Sequence, residues 1–282
     1  MDYQCLFCHI KSFAKLLEEQ PIDEGLKKQL AQDFLQWFTQ MDMNDESPEY
    51  TRAIHEKIRQ VLGTNDPYKQ IKKDCNDYML ELYPKFKEMV NNSDDPFNTA
   101  LKLSIAGNII DYAASPDFNV EETINFVMES DFTIDHSQKL KQEIQNAKTI
   151  LYLGDNAGEI VGDRLFLETI NHPGVHFAVR GEAIINDATL EDAYYVGLDK
   201  VSQVISNGYG APSTILHKSS PEFQDLFASA DLIISKGQGN LEGLLGRRDP
   251  SIYYMLMVKC GLIGARLGVD KGNFVVCHNK EI

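Results

Sequence analysis

Residues 151–159 read Leu-Tyr-Leu-Gly-Asp-Asn-Ala-Gly-Glu, and this stretch decides the expected fold. The apolar run at 150–153 is typical of a buried strand, and it stops abruptly before the adjacent polar residues Asp155 and Asn156. An amphipathic helical pattern follows directly. A strand, a tight turn and a helix in this order are typical of open α/β sheets, in which ligands bind beyond the carboxyl ends of the strands.

The pattern of the whole chain changes near residue 148. Before it, apolar residues recur at helical spacing, and prolines mark the turns. After it, short apolar runs alternate with helical stretches, which indicates a largely parallel sheet covered by helices. We therefore predict an α/β protein with an N-terminal multi-helical domain at 1–147 and a three-layer α/β/α domain at 148–282. The expected strands are 149–153, 175–179, 201–205, 232–235 and 274–277, and the expected helices are 160–171, 188–196, 221–230 and 253–267.

The composition and net charge indicate which classes of binding partner to expect. The 282-residue chain has 43% hydrophobic and 24% charged residues, as globular proteins do, and a net charge of −15. This charge repels nucleic-acid backbones and anionic membranes, so we expect neither as a partner. Because the sequence shows neither a bilayer-length apolar stretch nor a secretory pattern, we expect a cytoplasmic protein with reduced cysteines.

Polar residues follow each of the first four expected strands. Since the carboxyl ends of parallel strands meet at one edge of a sheet, these residues are expected to converge there. They are Asp155 and Asn156 after the first strand, Arg180 and then Asp187 after the second, Ser206-Asn207-Gly208 after the third, and Ser235-Lys236-Gly237-Gln238-Gly239-Asn240 after the fourth.

This mixture of residue types suits a metal and a phosphate. Asp155, Asn156 and Asp187 can supply three oxygen ligands to a hard divalent ion. Arg180 could bind phosphoryl oxygens as a fork and Lys236 as a point charge.

Two further features of the same edge support an anion site. Glycines such as Gly237, beside Lys236, let backbone N–H groups approach an anion closely. Glu159, in the first helical turn, could orient a water molecule or cap its own helix.

Each signal also has a plain structural interpretation. An Asp-Asn pair after a strand often forms only a turn or a helix cap. Asp187 stands before a helical pattern and could be the N-cap of a capping box. The segment around Lys236 is typical of an ordinary turn. The coincidence of all these signals at one edge is what favours a functional site.

The same motifs resemble the damage-control phosphatase family, formerly domain of unknown function 89, which includes the acidic-residue-methyltransferase-like proteins. The resemblance lies in residues 154–159, in 180–181 with 185–189, and in 235–240. The segments Cys5-Leu6-Phe7-Cys8, Asp66-Pro67-Tyr68 and 107–111 are similar to the cysteine-bearing prokaryotic branch. The similarity spans the whole chain and implies a helical domain packed on an α/β sandwich.

The resemblance implies a metal-dependent phosphohydrolase of small phosphorylated metabolites, such as sugar phosphates or phosphopantetheine-type compounds. The ion would be Mg, Mn, Co or Ni, held by Asp155, Asn156 and Asp187. The attacking group would be a water on the metal or a carboxylate, with Asp155 and Asp187 as candidates. The resemblance gives no specific substrate and no oligomeric state.

The resemblance also assigns residues around the substrate. Lys236 matches the position that engages substrate phosphate, and Asn240 matches an amide of the same loop. Asn108 and Asp111, one turn apart on an apolar helix, could satisfy a buried partner or a helix end. The resemblance favours a second role, in which they contact the substrate from the helical domain.

The N-terminal cysteines allow two interpretations. Cys5 and Cys8 could simply pack on one face of a first helix. They could instead form a redox site or a second metal site, for which Cys75 and His55 are the best additional ligands. The sequence favours packing slightly.

Two other functions compete with the phosphatase. One is an S-adenosylmethionine-dependent carboxyl methyltransferase, although no G-x-G-x-x-G loop follows a strand here. The other is a non-enzymatic module that binds a phosphorylated metabolite. Sensitivity to a chelator separates the phosphatase from the methyltransferase, and binding without turnover would indicate the module.

Overall fold

A computed structural model of the chain describes residues 2–40, 47–107, 120–248 and 250–282. The chain divides into two compact units, Met1–Asn65 and Asp66–Ile282. The expected boundary at residue 147 falls within the second unit, where it marks the change from helices to the strand-rich part, and it stays a prediction as a domain boundary.

The first unit consists of helices α1 (Tyr3–Glu19), α2 (Glu24–Phe38) and α3 (Ser47–Leu62) in its described part. Aspartate side chains begin the first two helices, since Asp2 accepts from the N–H of Gln4 and Asp23 accepts from those of Gly25 and Leu26. The rings of Phe13 and Phe34 stack at 3.9 Å in its apolar core.

The second unit begins with helices and continues as an α/β structure. The helices before the first central strand are α4 (Lys69–Asn91), α5 (Pro96–Ala106), α6 (Val120–Glu129) and α7 (Ser137–Asn146), with strand β1 (Phe132–Asp135) among them. The remaining elements are β2 (Ile150–Leu153), α8 (Glu159–Ile170), β3 (Val175–Val179), α9 (Leu190–Tyr195), β4 (Gln203–Ser206), α10 (Pro221–Ser229), β5 (Leu232–Lys236), α11 (Gly237–Leu244), β6 (Ser251–Met257), α12 (Gly261–Leu267) and β7 (Phe274–His278).

In the described ranges, seven strands form one sheet in the order β1-β7-β6-β5-β2-β3-β4. Every neighbouring pair is parallel except β6 with β7. The strands β2, β3, β4 and β5 therefore end at the same edge, with β2 between β5 and β3. This confirms the predicted α/β fold and its largely parallel sheet.

Alternate residues of the central strands face two apolar cores. On one face, Ile150 and Tyr152 pack with residues of α4, α5 and α8. On the other face, Leu151 and Leu153 pack with residues of α10, α11 and α12. Because both faces are covered, β2 is fully buried, which explains its continuous apolar sequence.

Two expectations about the elements were wrong. The segment expected as one helix at 253–267 is strand β6 followed by helix α12, because a continuous apolar run suits a buried strand as well as a buried helix. Residues 132–135, expected within the helical domain, form an edge strand beside β7. In the described ranges, no helix is long and apolar enough to cross a membrane.

Candidate active site

Backbone pairing joins the loop after β2 to the loop after β3. Asn156 and Asp187 form an antiparallel bridge. On either side of it, the N–H of Ala157 donates to the carbonyl of Asn186 and the N–H of Ala188 donates to the carbonyl of Asp155, both across 2.8 Å. The bridge brings together Asp155, Asn156 and Asp187, which we call the ligand trio because the sequence predicts them as metal ligands.

Helix capping does not account for these residues. The N-cap of α8 is Gly158, and no side chain caps it. The N-cap of α9 is Thr189, which forms a capping box with Asp192, so Asp187 is not the cap. The Nδ2 of Asn156 donates to Oδ2 of Asp155 (2.9 Å) and to Oε2 of Glu159 (3.2 Å). Its Oδ1 thus lies on the other side of the amide.

Arg180 binds two members of the trio. Its Nε donates to Oδ2 of Asp187 (2.6 Å) and its Nη2 to Oδ1 of Asp155 (3.3 Å). Its Nη1 donates to Oδ1 of Asn240 (2.9 Å), and the Nδ2 of Asn240 donates to the carbonyl of Gly154 (3.2 Å). Arg180 is 3% exposed. The guanidinium therefore cross-links three of the strand ends.

Lys236 has no exposed surface and pairs with a second set of acidic side chains. Its Nζ donates to Oε1 of Glu159 (2.7 Å), Oδ1 of Asp163 (2.5 Å) and the carbonyl of Ser104 (2.9 Å). Burial alone would lower the pKa of Lys236, but the carboxylates of Asp163 and Glu159 raise it above its ordinary value. A charged Lys236 thus holds Glu159 in place, while its predicted contact with substrate phosphate stays a prediction.

Gly237 lies directly against Asp155. Its φ is +75°, and a Cβ at this position would lie 2.0 Å from Oδ2 of Asp155. A positive φ already favours glycine, and here the missing side chain also leaves room for the carboxylate.

Two charged residues near the site were missed by the sequence analysis. Asp163, on α8, accepts from Lys236 and from the hydroxyl of Tyr152 (2.7 Å). Lys259 follows β6, and its charge partly opposes the rise that burial causes in the pKa of Asp155 and Asp187. Lys259 was not recognised as a site residue because residues 253–267 were expected to form one helix. As a strand, β6 would have added its end to the edge where the other four meet.

The site holds more buried negative charge than positive charge. The carboxylates of Asp155, Glu159, Asp163 and Asp187, which we call the carboxylate cluster, are each at most 7% exposed. In the part of the chain that the structure describes, Arg180 and Lys236 are the buried cations that pair with this cluster, so its four carboxylates outnumber these two cations.

Burial and the neighbouring charges together shift the pKa values of these carboxyl groups. Burial, followed by the charges of Asp187 and Glu159, raises the pKa of Asp155 to about 7. Burial also raises the pKa of Asp187, against the opposing effect of Arg180. A divalent cation would compensate the surplus of carboxylates, and its donors would be carboxylate and amide oxygens, which hard cations prefer. The donor set thus fits such an ion.

Other predicted site residues are not part of this arrangement. Asn108 and Asp111 lie outside the described residues, and their substrate contact stays a prediction. Cys5 is partly buried and Cys8 is exposed, and both lie on α1. In the described ranges, no group of three or more His, Cys, Asp or Glu residues is arranged to hold a metal. The ligand trio contains only two such residues, Asp155 and Asp187, and its third member is the amide of Asn156. A redox or second metal site at Cys5 and Cys8 therefore stays a prediction.

Similarity to known proteins shows the family to which the chain belongs. The damage-control phosphatase ARMT1-like domain matches residues 1–275. The chain belongs to this family. A damage-control phosphatase of Archaeoglobus fulgidus is 32% identical over 96% of this chain and 95% of that protein. One from Pyrococcus horikoshii is 31% identical over 99% of this chain and 98% of that protein.

Further relatives agree in sequence and structure. An uncharacterized protein of Methanocaldococcus jannaschii is 35% identical over 97% of this chain and 93% of its own length. The crystal structure of a DUF89-family protein from Pyrococcus horikoshii covers 99% of both chains with a TM-score of 0.89 and 30% identity. Membership in the family confirms the resemblance and supports a phosphatase acting on phosphorylated metabolites.

Proposed function

We propose that this chain is a metal-dependent phosphatase that hydrolyses phosphate monoesters of small metabolites, such as sugar phosphates. The observation that carries the proposal is the backbone bridge between Asn156 and Asp187, because it places the ligand trio together in a buried, electronegative site. Asp155, Asn156 and Asp187 would hold a divalent cation, Mg, Mn, Co or Ni. When bound, this ion would neutralise negative charge that develops on the phosphoryl oxygens.

The buried cations prepare the site. Arg180 fixes the carboxylates of Asp155 and Asp187, and Lys236 fixes Glu159. Because these contacts exist before substrate binds, little rearrangement is needed when charge develops in the transition state. Glu159 in turn accepts from the amide of Asn156 and so sets the orientation of this ligand. We assign Asp155 and Asp187 to catalysis.

Lys259 would attract the phosphate. It is exposed, whereas Arg180 and Lys236 are buried with carboxylate partners. The chain has a net charge of −15, so an anionic substrate needs a local positive charge at the entrance of the site. The backbone N–H of Lys259 donates to Oε1 of Gln238 (2.9 Å), which ties this loop to the start of α11. Direct phosphate contacts of Arg180 and Lys236 stay predictions of the sequence.

The experiment is phosphate release by the metal-stripped protein from p-nitrophenyl phosphate and from a panel of sugar phosphates. Each of Mg, Mn, Co and Ni is added back separately, and excess chelator is the control. We expect release only with a divalent ion. Release that persists in chelator contradicts the proposal. Methyl transfer from S-adenosylmethionine without phosphate release would support the methyltransferase instead.

A further inference from the structure

The amide of Asn76 connects the two loops that carry the ligand trio. On α4, its Oδ1 accepts from the N–H of Gly158 (2.6 Å), the residue that begins α8 after Asp155 and Asn156. Its Nδ2 donates to Oδ1 of Asp192 (3.1 Å), in the first turn of α9. Asn76 is 1% exposed, so no solvent competes for these bonds.

Asp192 continues the connection toward Asp187. Its Oδ2 accepts from the N–H of Thr189 (2.9 Å) and from the hydroxyl of the same residue (2.7 Å). Thr189 follows Asp187 by two positions, and the N–H of the intervening Ala188 is bonded to Asp155. The position of Asp192 thus fixes the end of the loop that holds Asp187.

The Asp66-Pro67-Tyr68 motif is connected to Asp192 through Lys72. The Nζ of Lys72 lies 3.0 Å from Oδ2 of Asp192 and 2.8 Å from Oδ2 of Asp66. The N–H of Tyr68 donates to Oδ1 of Asp66 (3.0 Å). Burial would lower the pKa of Lys72, but Asp192 and Asp66 raise it above its ordinary value. A charged lysine therefore compensates Asp192.

Close backbone packing holds α4 against the first loop independently. Gly158 has a φ of +81°, and a Cβ there would lie 3.1 Å from Cβ of Cys75. Cys75 precedes Asn76 on α4 and is buried. The absence of a side chain at Gly158 lets the helix approach closely enough for the short bond to Asn76.

We propose that Asn76 is a positioning residue, which sets the relative placement of the loops carrying Asp155, Asn156 and Asp187 and thereby the affinity for the divalent cation. This inference rests on the proposed function. Groups that orient metal ligands from behind typically change metal affinity or activity by about 10- to 100-fold when removed.

The experiment measures binding of Mn²⁺ to the metal-stripped full chain, with free Mn²⁺ followed by electron paramagnetic resonance. We expect Asn76→Ala to weaken binding about tenfold or more. The matched control is Met79→Ala, on the same helix and 1% exposed. It removes core packing and lowers stability, but it leaves the hydrogen-bonded chain intact, so its Kd for Mn²⁺ should equal that of the wild type.

An exchange of the two polar partners separates positioning from stability. Asn76→Asp alone places a second carboxylate beside Asp192. Asp192→Asn alone leaves one acceptor oxygen at position 192, and if Thr189 keeps it, the amide of Asn76 faces a second NH2 group. We expect both to weaken Mn²⁺ binding. Combined, the two substitutions restore one donor and one acceptor between positions 76 and 192, and the new carboxylate still accepts from Gly158. The double variant should recover most of the lost affinity.

The possible results test the role of Asn76 separately from the proposed metal dependence. Wild-type protein that binds no Mn²⁺, Mg²⁺, Co²⁺ or Ni²⁺ overturns the proposed metal dependence and the inference with it. Wild-type binding that Asn76→Ala leaves unchanged overturns the inference alone. So does a double variant that binds no better than either single variant.

Discussion

The Nε of Arg180 donates to Oδ2 of Asp187 across 2.6 Å, and both side chains are almost completely buried. The same guanidinium reaches Asp155 at 3.3 Å. Since the two carboxylates share this guanidinium, Arg180 reduces the electrostatic repulsion between them.

Replacing Arg180 with methionine should destabilise the metal-free protein by about 3 kcal/mol, because it leaves buried carboxylates without their partner. Urea unfolding in chelator measures this loss. Arg164→Met is the control, since Arg164 pairs with Glu168 away from the ligand trio. We expect phosphatase activity to fall strongly for Arg180→Met and little for Arg164→Met. Equal activities of the two variants would contradict the assigned role.

Gly237→Ala should abolish most activity, because the new Cβ would displace the carboxylate of Asp155. A displacement of about 1 Å can cost about 100-fold in rate. Gly246→Ala is a matched control: its φ is +84°, close to the +75° of Gly237, but a Cβ there would meet no atom within 4 Å. Both variants carry about 1 kcal/mol of backbone strain. Steady-state kinetics should show the large loss only for Gly237→Ala, and similar losses would refute the steric argument.

Lys259→Met should raise the KM for a phosphate ester about tenfold with a smaller effect on kcat, because it removes a charge that attracts the substrate. The exposed Lys271 offers a control with the same loss of charge. Lys271→Met should leave KM unchanged. If KM rises equally in both variants, the effect is one of net charge and Lys259 has no specific role.

The stability of the metal-free protein should depend on pH through Asp163. Burial raises the pKa of Asp163 from 3.8 to about 6, despite Lys236. The folded state then holds this proton more tightly than the unfolded state, so the stabilising contribution is complete below about pH 4 and is lost as pH rises through 6. Relative to Asp163→Asn, the wild type should therefore lose stability between pH 4 and 6.

Asp231 provides a comparison of opposite sign. The N–H groups of Thr149 and Lys148 lower the pKa of Asp231. Its contribution is present above its ordinary pKa and is lost as pH falls. Thermal unfolding of Asp163→Asn and Asp231→Asn across pH 3–8 should give differences from the wild type that change in opposite directions. A wild type that gains stability over Asp163→Asn between pH 4 and 6 would contradict the prediction.

The sequence predicted the central strands because each is a short apolar run that ends in polar residues. Residues 175–179 have the expected bounds, and β2 and β5 differ by one residue at one end. Helix α11 was not predicted because it contains several glycines, which disfavour helices. Packing explains it, since a Cβ at Gly239 would lie 2.2 Å from the carbonyl of Pro212.

The sequence could predict the ligand trio as a group because its members follow neighbouring strands, and the structure brings them together. It could not predict Asp163 or Asn76. Both lie within helices, where a polar residue usually indicates a solvent-exposed face. Their hydrogen-bond partners, Gly158 for Asn76 and Lys236 for Asp163, are distant in sequence and are brought close only by tertiary packing. Lys259 was not predicted because the apolar run at 253–257 was interpreted as part of a helix, whereas it lies in strand β6.

The most direct test of the central claim is Mn²⁺-dependent hydrolysis of p-nitrophenyl phosphate by Asp187→Asn, measured beside the wild type. Asp199→Asn, at an exposed position, is the control. If the ligand trio holds the ion on which turnover depends, Asp187→Asn should lose at least about 100-fold in rate, while Asp199→Asn retains full activity. Full metal-dependent turnover by Asp187→Asn would contradict the claim.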